Sequence, residues 1–198
     1  MPRKHDLLLE RKLVQAAQTL CAREGLQAIT MRRVALLAKT TTPTLYQRFA
    51  DRAALLQALR EHIRKSLARE MLKSTSPQDA CSRYLKFAVR HPHEYGLLMS
   101  SVGKVRTADG QRGPVFDAVQ KRLAQVFGGS PEAYECAALQ MWCLVHGAAS
   151  LLIERGDRSP EAADIREACR LACKNIVDFE VASRTTATGF TLADKPTL

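Results

Sequence analysis

The sequence lacks the short motifs on which most enzyme mechanisms depend. Its 198 residues contain no GxSxG, HExxH, GxxxxGK[ST] or GxGxxG pattern, the signatures of acyl transfer, zinc proteolysis, phosphate binding and dinucleotide binding. The six cysteines include no CxxC pair and are most simply small buried side chains. Cys169 and Cys173 would share a helix face, which leaves metal binding or oxidant sensing as an alternative. We therefore expect no enzyme, no cofactor and no metal site.

Segments that would direct the chain to a membrane are also missing. No uninterrupted apolar run reaches the roughly 18 residues that a transmembrane helix needs. The N-terminal residues MPRKHD lack the apolar segment of a signal peptide. These absences predict a cytoplasmic protein without a membrane partner.

Alternation of apolar and polar residues, which marks half-buried strands, is scarce, whereas apolar residues recur at helical spacing almost throughout. Apolar residues make up 46% of the chain, too many for a disordered protein. The fold class is therefore predicted to be all-α, with polar loops such as residues 102–113 between the helices. Helices are predicted over residues 7–24 (with Asp6 as N-cap), 31–38, 53–72, 77–90, 114–127, 131–155 and 162–179, with further short ones after residue 41 and before residue 101.

Positive charge is concentrated in the first third of the chain. Residues 1–73 contain 15 Lys and Arg against 6 Asp and Glu, a net charge of +9, whereas residues 74–198 contain 15 against 14, a net charge of +1. A basic surface of this kind favours a polyanion, because neutralised phosphates release their counterions. The open alternative is a basic helical surface with no such partner.

Residues 30–52, TMRRVALLAKTTTPTLYQRFADR, have the layout of a helix-turn-helix, in which two short helices are joined by a tight break. Thr30 is placed to cap the first of these helices, whose inner side is predicted from Val34, Leu37 and Ala38. After the break, Thr41 or Thr42 can cap the second helix. Its hydroxyl, phenol and amide side chains are suited to phosphates and base edges, with Leu45 and Phe49 facing inward.

This region resembles the N-terminal domain of the TetR family of bacterial transcriptional regulators. The resemblance extends from residue 12 to residue 59 and is carried by EG at residues 24–25, ITMRRVA at 29–35 and TPTLYQRFADRAALLQAL at 42–59. It implies a three-helix DNA-binding domain that leads into a connecting helix, and a double-stranded DNA operator as partner. By motif match, the implied DNA contacts are Thr30, Arg32, Thr41, Thr42, Thr44, Tyr46, Gln47 and Arg52. Arg32 and residues 42, 44 and 47 are expected at bases, and residues 30, 46 and 52 at phosphates.

One turn departs from the family pattern. The family usually has glycine followed by an apolar residue where this chain has Lys39 and Thr40. A glycine tolerates positive φ there, whereas a lysine in that conformation costs about 1 kcal/mol. A phosphate contact made by Lys39 would offset this cost, which is a second expectation for the turn.

The later part of the chain is predicted to bind an effector and to form the dimer. Residues 131–155 carry apolar side chains on two faces, and residues 162–179 carry a matching stripe, which favours a homodimer through these last two helices, although a monomer could bury both faces internally. MWCLVHGAASL at residues 141–151 and FAVRHPHEYGLLM at 87–99 resemble the Trp-x-x-x-His-Gly subgroup of the family, which implies a small apolar or amphipathic effector. Candidate pocket residues are Tyr84, Phe87, Tyr95, Met99, Phe116, Met141, Trp142 and His146, each of which is otherwise an ordinary core residue.

The sequence therefore predicts a DNA-binding domain over residues 1–51, an effector-binding and dimerisation domain over 52–182, and a tail over 183–198 that is either loose or an arm over the partner subunit. The predicted function is a transcriptional regulator, most simply a repressor that binds a near-palindromic operator as a homodimer and is released by an effector. The alternative is a helical protein-interaction module without sequence-specific DNA binding.

Overall fold

The computed structural model describes the backbone of residues 4–100 and 113–188, and the side chains of 7–100 and 113–183. Within these ranges the chain is helical and forms no strand, which confirms the all-α prediction. The helices are α1 (Lys4–Glu24), α2 (Met31–Leu37), α3 (Thr42–Tyr46), α4 (Arg52–Leu72), α5 (Pro77–Arg90), α6 (Pro92–Met99), α7 (Pro114–Phe127), α8 (Glu135–Arg155) and α9 (Ala162–Thr188). Short 3₁₀ turns, Leu26–Ala28 and Pro131–Tyr134, precede α2 and α8.

Two helix bounds differ from the sequence-based prediction. Helix α1 begins at Lys4, so Asp6 lies inside the helix and not at its N-cap. Helix α9 continues to Thr188, so residues 183–188 are helical and the prediction of a loose tail is wrong for them. No glycine or proline interrupts the chain between residues 161 and 188, and the backbone can remain helical after the apolar stripe has ended. The predicted loop at 102–113, except Gly113, and residues 189–198 of the predicted tail lie outside the described residues.

The described residues form two compact units. The first comprises residues 4–70, 86–100 and 113–115, and the second comprises residues 71–85 and 116–188. The first unit therefore contains the whole predicted helix-turn-helix, most of α4, and α6 from the later part of the sequence. The domain division at residue 51 stays a prediction.

Buried leucines and small residues build the core of the first unit. In α4, five aliphatic side chains at helical spacing form a buried stripe: Leu55, Leu56, Leu59, Ile63 and Leu67. In α1, Leu13, Ala17 and Cys21 are fully buried. Burial of an aliphatic side chain of this size contributes about 1.5–3 kcal/mol relative to exposure, so these stripes anchor the helices that carry the basic N-terminal surface.

The second unit is centred on the contact between α8 and α9. One face of α8 is buried, and Tyr134 just before it is also fully buried, with its hydroxyl donating to the Gly128 carbonyl oxygen at 2.6 Å. The opposite side of α8 keeps Cys136 and Cys143 exposed. Among the described residues, one of the two apolar faces predicted for this helix is therefore buried, and the other is only partly covered.

Among the described residues, Pro131–Arg155 is the one segment long and apolar enough to cross a membrane. Seven side chains of α8 are buried against other parts of the protein. A core helix of a soluble protein has the same composition, so this segment is weak evidence for a membrane span.

Candidate nucleic-acid interface

Helix α2 begins as the sequence predicts. The Thr30 hydroxyl oxygen accepts a hydrogen bond from the Arg33 backbone N–H at 3.3 Å and caps the helix. The Arg33 guanidinium pairs with Glu24 at 2.6 Å, and this hydrogen bond lowers the pKa of the Glu24 carboxyl. The neighbouring Arg32 is exposed and makes no hydrogen bond or ion pair with the described part of the chain. Of these two arginines, Arg32 is therefore the one available to an external anion.

The inner side of α2 differs in part from the prediction. Val34 is fully buried as expected, and Met31 and Ala35 are buried beside it. Leu37 is exposed instead of buried, and Ala38 is half-buried. Because α2 ends at Leu37, the chain has already begun to turn at Ala38 and does not continue the buried face of the helix.

The turn after α2 is held by a Schellman motif with lysine at its left-handed position. Lys39 has φ of 55°, and among the described residues it is the one non-glycine with positive φ. Its N–H donates to the Leu36 carbonyl at 3.1 Å, and the Thr40 N–H donates to the Ala35 carbonyl at 3.0 Å, which are the two bonds that define the motif. The conformation that favours glycine is therefore present without the glycine.

Replacing Lys39 with glycine is expected to raise the free energy of unfolding by about 1 kcal/mol, because relief of the left-handed conformation exceeds the added chain entropy. If Lys39 also contacts a phosphate, the slope of log affinity against log salt should become shallower by about 0.9. Lys39→Gln is the matched control, because it removes the charge and keeps the strain. Denaturant unfolding measures the change in stability, and salt titrations of DNA binding measure the change in slope. Unchanged stability and slope in Lys39→Gly would contradict a role for this turn.

Helix α3 is short and strongly constrained. The Thr41 hydroxyl caps it by accepting from the Thr44 N–H at 3.3 Å, and the two threonine hydroxyls lie 2.7 Å apart. Pro43 occupies the first turn, where no intrahelical N–H is needed. Leu45 is fully buried and Phe49 is buried four residues later, which confirms the inward pair. The cap and the buried pair fix how α3 presents its remaining side chains.

The outward side of α3 carries polar groups without an internal role. Tyr46 is 51% exposed, Gln47 is exposed, and Thr42 is half-buried. Neither the Tyr46 hydroxyl nor the Gln47 amide makes a hydrogen bond with the described residues. A phenol can donate to a phosphate oxygen, and a side-chain amide can pair with an adenine edge. The Tyr46 and Gln47 side chains therefore carry the chemistry expected of a recognition surface, and no described residue hydrogen-bonds to their polar groups.

Arg52 has a different position from the other predicted contacts. Its Nε donates to the Ile29 carbonyl at 2.6 Å and its Nη2 donates to the Leu26 carbonyl at 2.8 Å. These carbonyls lie in the segment between α1 and α2, whereas Arg52 begins α4. The guanidinium therefore ties the start of α4 to the helix-turn-helix, and its sequence-based role as a phosphate contact stays an untested prediction.

One buried polar contact in the same unit was not predicted from the sequence. Glu94 of α6 is 3% exposed, and its Oε1 accepts from Gln18 Nε2 of α1 at 3.1 Å. The His91 Nδ1 lies 3.5 Å from its Oε2. Burial, and secondarily the Glu94 charge, raises the pKa of Cys21 to about 11. The partners are 76 residues apart, and the sequence pattern around residues 91–95 indicates only a helix break.

Helix α6 also contacts α4. The Arg60 Nε donates to the Leu97 carbonyl at 3.4 Å. A hydrogen bond of this length is weak. Helix α6 thus has polar contacts with both long helices of the first unit.

The predicted pocket residues are divided between the two units. In the first unit, Tyr95 is buried, Met99 is half-buried, and the Phe87 ring lies 5.1 Å from that of His91. The second unit contains the other five, of which three are buried core side chains: Tyr84, Phe116 and Met141. Within α8 the Trp142 and His146 rings are stacked, with ring centroids 5.4 Å apart and an angle of 3° between the ring planes. Burial lowers the pKa of His146. Their contact with an effector stays a prediction.

The fold is that of known transcriptional regulators. A TetR transcriptional regulator from Rhodococcus sp. RHA1 is 21% identical with a TM-score of 0.64, covering 87% of this chain and 97% of that one. A tetR-family regulator from Streptomyces coelicolor is 18% identical with a TM-score of 0.65, covering 99% and 92% respectively. At these identities, the similarity establishes the fold alone.

Sequence comparison identifies the family. Residues 13–59 match the profile of "Bacterial regulatory proteins, tetR family", and residues 78–175 match "Tetracyclin repressor-like, C-terminal domain". A search of curated proteins gave no significant match. The two matched regions cover most of the chain and include both the helix-turn-helix and α8. The chain therefore belongs to the TetR family of bacterial transcriptional regulators, which are transcription factors and not enzymes.

Proposed function

We propose that this regulator is a cytoplasmic repressor that binds a near-palindromic operator as a homodimer and is released by a small apolar or amphipathic effector. The observation that carries the DNA-binding part is the outward side of α3, where Tyr46 and Gln47 are exposed and have no hydrogen-bond partner in the described chain. This side belongs to the segment with a net charge of +9. A polar surface without internal partners, in a basic segment, is suited to a duplex.

The proposed DNA-binding residues fall into three groups: residues that contact base edges, residues that contact phosphates, and residues that position the others. Arg32, Thr42, Thr44 and Gln47 are assigned to base edges, whereas Thr30 and Tyr46 are assigned to phosphates. Thr41 is assigned to capping, because its hydroxyl oxygen already accepts from the Thr44 N–H. For Arg52, we favour a positioning role over the phosphate contact, since two of its nitrogens donate to carbonyls.

The proposed dimer uses α8 and α9. Both helices keep apolar side chains exposed, including Leu151 on α8, and Leu171 and Phe179 on α9 at 49% and 69% exposure. Each of these costs free energy in water and would be covered in a four-helix contact between two copies. An isologous pair would place two α3 helices in successive major grooves about 34–36 Å apart.

Leu171→Glu is expected to weaken dimerisation at least tenfold, because it places two charges in the proposed interface. Val126→Glu is the matched control, since Val126 of α7 is 46% exposed and outside the proposed face. Sedimentation velocity over a range of concentrations measures both. An equal effect of the two substitutions, or none, would contradict the assignment of α9.

The proposed switch operates through α6. This helix contacts α1 through Glu94 and Gln18, and α4 through Arg60. An effector that prefers a different position of α6 would shift α1 and tilt α4, changing the spacing of the two α3 helices and lowering the population that fits the operator.

Selection of DNA from a random pool by the intact protein tests the proposed function. The expected product is an inverted repeat whose half-sites are about one helical turn apart. Recovery of unrelated sequences without a repeat would favour the protein-interaction alternative.

A further inference from the structure

The second unit contains a group of thiols that the proposed function does not use. Cys81 of α5 and Cys173 of α9 are 92 residues apart in the sequence, yet their Sγ atoms lie 2.8 Å apart. Cys169 lies one helical turn before Cys173 on α9 and is also buried. The structure thus adds a third thiol, Cys81, to the pair on α9 that the sequence indicates.

Geometry favours bond formation between Cys81 and Cys173. Their sulfur separation is only about 0.8 Å longer than a disulfide bond of about 2.05 Å. The two side chains come from different helices that already hold them together, so a crosslink requires little movement of the backbone. Metal binding is the less suitable alternative, because no set of three or more ligand side chains among the described residues is arranged to hold a metal ion.

Cys81 and Cys173 differ in their exposure to solvent. Cys81 is 6% exposed and Cys173 is fully buried, so an oxidant from solvent reaches Cys81 first. The hydrogen bond with Cys169 lowers the pKa of Cys173, but the hydrogen bond with Cys81, burial and the Cys81 charge together outweigh it and raise the pKa to about 12. A thiol that stays protonated is a poor first nucleophile, which leaves Cys173 to react second.

We propose that Cys81 and Cys173 form an oxidative modification site at which hydrogen peroxide closes a disulfide between α5 and α9. The Cys81 sulfur attacks one peroxide oxygen, the O–O bond breaks, and water leaves, so that Cys81 becomes a sulfenic acid. The Cys173 sulfur attacks the Cys81 sulfur, the S–S bond forms, the S–O bond breaks, and a second water carries away the Cys173 proton. The two sulfurs lose two electrons and the peroxide gains them.

The disulfide would fix α9, the helix proposed to carry the dimer face, against α5. It would also close a loop of about 90 residues in the unfolded chain. Removing that loop's entropy stabilises the folded state, and a rise in Tm of roughly 10 °C is expected for a chain of this size.

The sequence makes the test direct, because trypsin separates the three thiols into residues 74–83, 167–170 and 171–174. The intact protein is treated with hydrogen peroxide under native conditions, remaining thiols are alkylated, and the digest is analysed by mass spectrometry without reduction. The expected product joins residues 74–83 to residues 171–174, is retained in Cys169→Ala, and disappears with dithiothreitol. The Tm of the treated protein should rise in the wild type but not in Cys81→Ala.

Three results would overturn the proposal. One is a crosslink from residues 74–83 to residues 167–170, which would make Cys169 the partner. Another is complete alkylation of Cys81 and Cys173 after peroxide treatment that has oxidised the exposed Cys143. The third is further oxidation of Cys81 while Cys173 remains a free thiol. Because the wild-type protein itself gives each result, the test does not depend on the stability of any variant.

Discussion

Replacing Arg52 with alanine is expected to lower the free energy of unfolding by about 3 kcal/mol and to weaken binding to every DNA sequence without flattening its salt dependence. The guanidinium makes two charge-assisted bonds to the carbonyls of Leu26 and Ile29, each worth about 1.5–3 kcal/mol, with part of the loss recovered by water. Without them, the segment before α2 loses its connection to the start of α4, and the helix-turn-helix is no longer held in one arrangement. Denaturant unfolding and DNA titrations at several salt concentrations measure the two effects.

Arg32→Ala is the matched control for this experiment. Arg32 is an exposed arginine of the same unit, and its removal should leave stability within about 0.5 kcal/mol. The loss of DNA affinity in this variant should depend on sequence if Arg32 contacts a base. An Arg52→Ala protein of normal stability, with a salt slope shallower by about 0.9, would show instead that Arg52 contacts a phosphate as the family pattern implies.

Gln47→Ala is expected to cost about 1–3 kcal/mol of binding free energy at one base-pair position and little at the others. The amide is exposed directly after α3, and the buried Leu45 and Phe49 fix the backbone on either side of it. Removal of a bidentate amide contact should therefore relax specificity where Gln47 reaches the groove. Affinities for a set of operators, each altered at one base pair, measure this loss.

Tyr46→Phe provides the comparison for Gln47→Ala. It removes only a hydroxyl that is assigned to a phosphate, so its loss of affinity should be the same for every operator in the set. A uniform loss with Gln47→Ala, equal in pattern to that of Tyr46→Phe, would show that Gln47 does not read a base.

Much of the structure of the predicted DNA-binding region could be predicted from residues that are close together in the sequence. The caps at Thr30 and Thr41, the buried pair Leu45 and Phe49, and the apolar stripe of α4 each depend on residues within one or two helical turns. Positive φ at Lys39 was also predictable, because a Schellman motif requires a left-handed residue at that place whatever side chain occupies it.

Contacts between distant residues were not predictable from the pattern. The Gln18–Glu94 bond and the Cys81–Cys173 contact join residues that are 76 and 92 positions apart. The sequence next to Glu94 or Cys81 does not identify the distant residue that each side chain contacts. The contacts of Arg52 were also not predictable from the local sequence, although its partners are closer in the chain. Its motif position implies a phosphate contact, whereas its observed bonds to the Leu26 and Ile29 carbonyls depend on how the start of α4 lies against the segment between α1 and α2. The helical continuation of α9 to Thr188 was missed because the end of an apolar stripe is not the end of a helix.

The most direct measurement is the affinity of the intact protein for the DNA upstream of its own gene, compared with a shuffled duplex of the same composition, over a range of salt concentrations. A regulator that reads bases through α3 should prefer the natural sequence by at least about a thousandfold, and both affinities should fall as salt rises. Equal affinity for the two duplexes at every salt concentration would contradict sequence-specific recognition by α3.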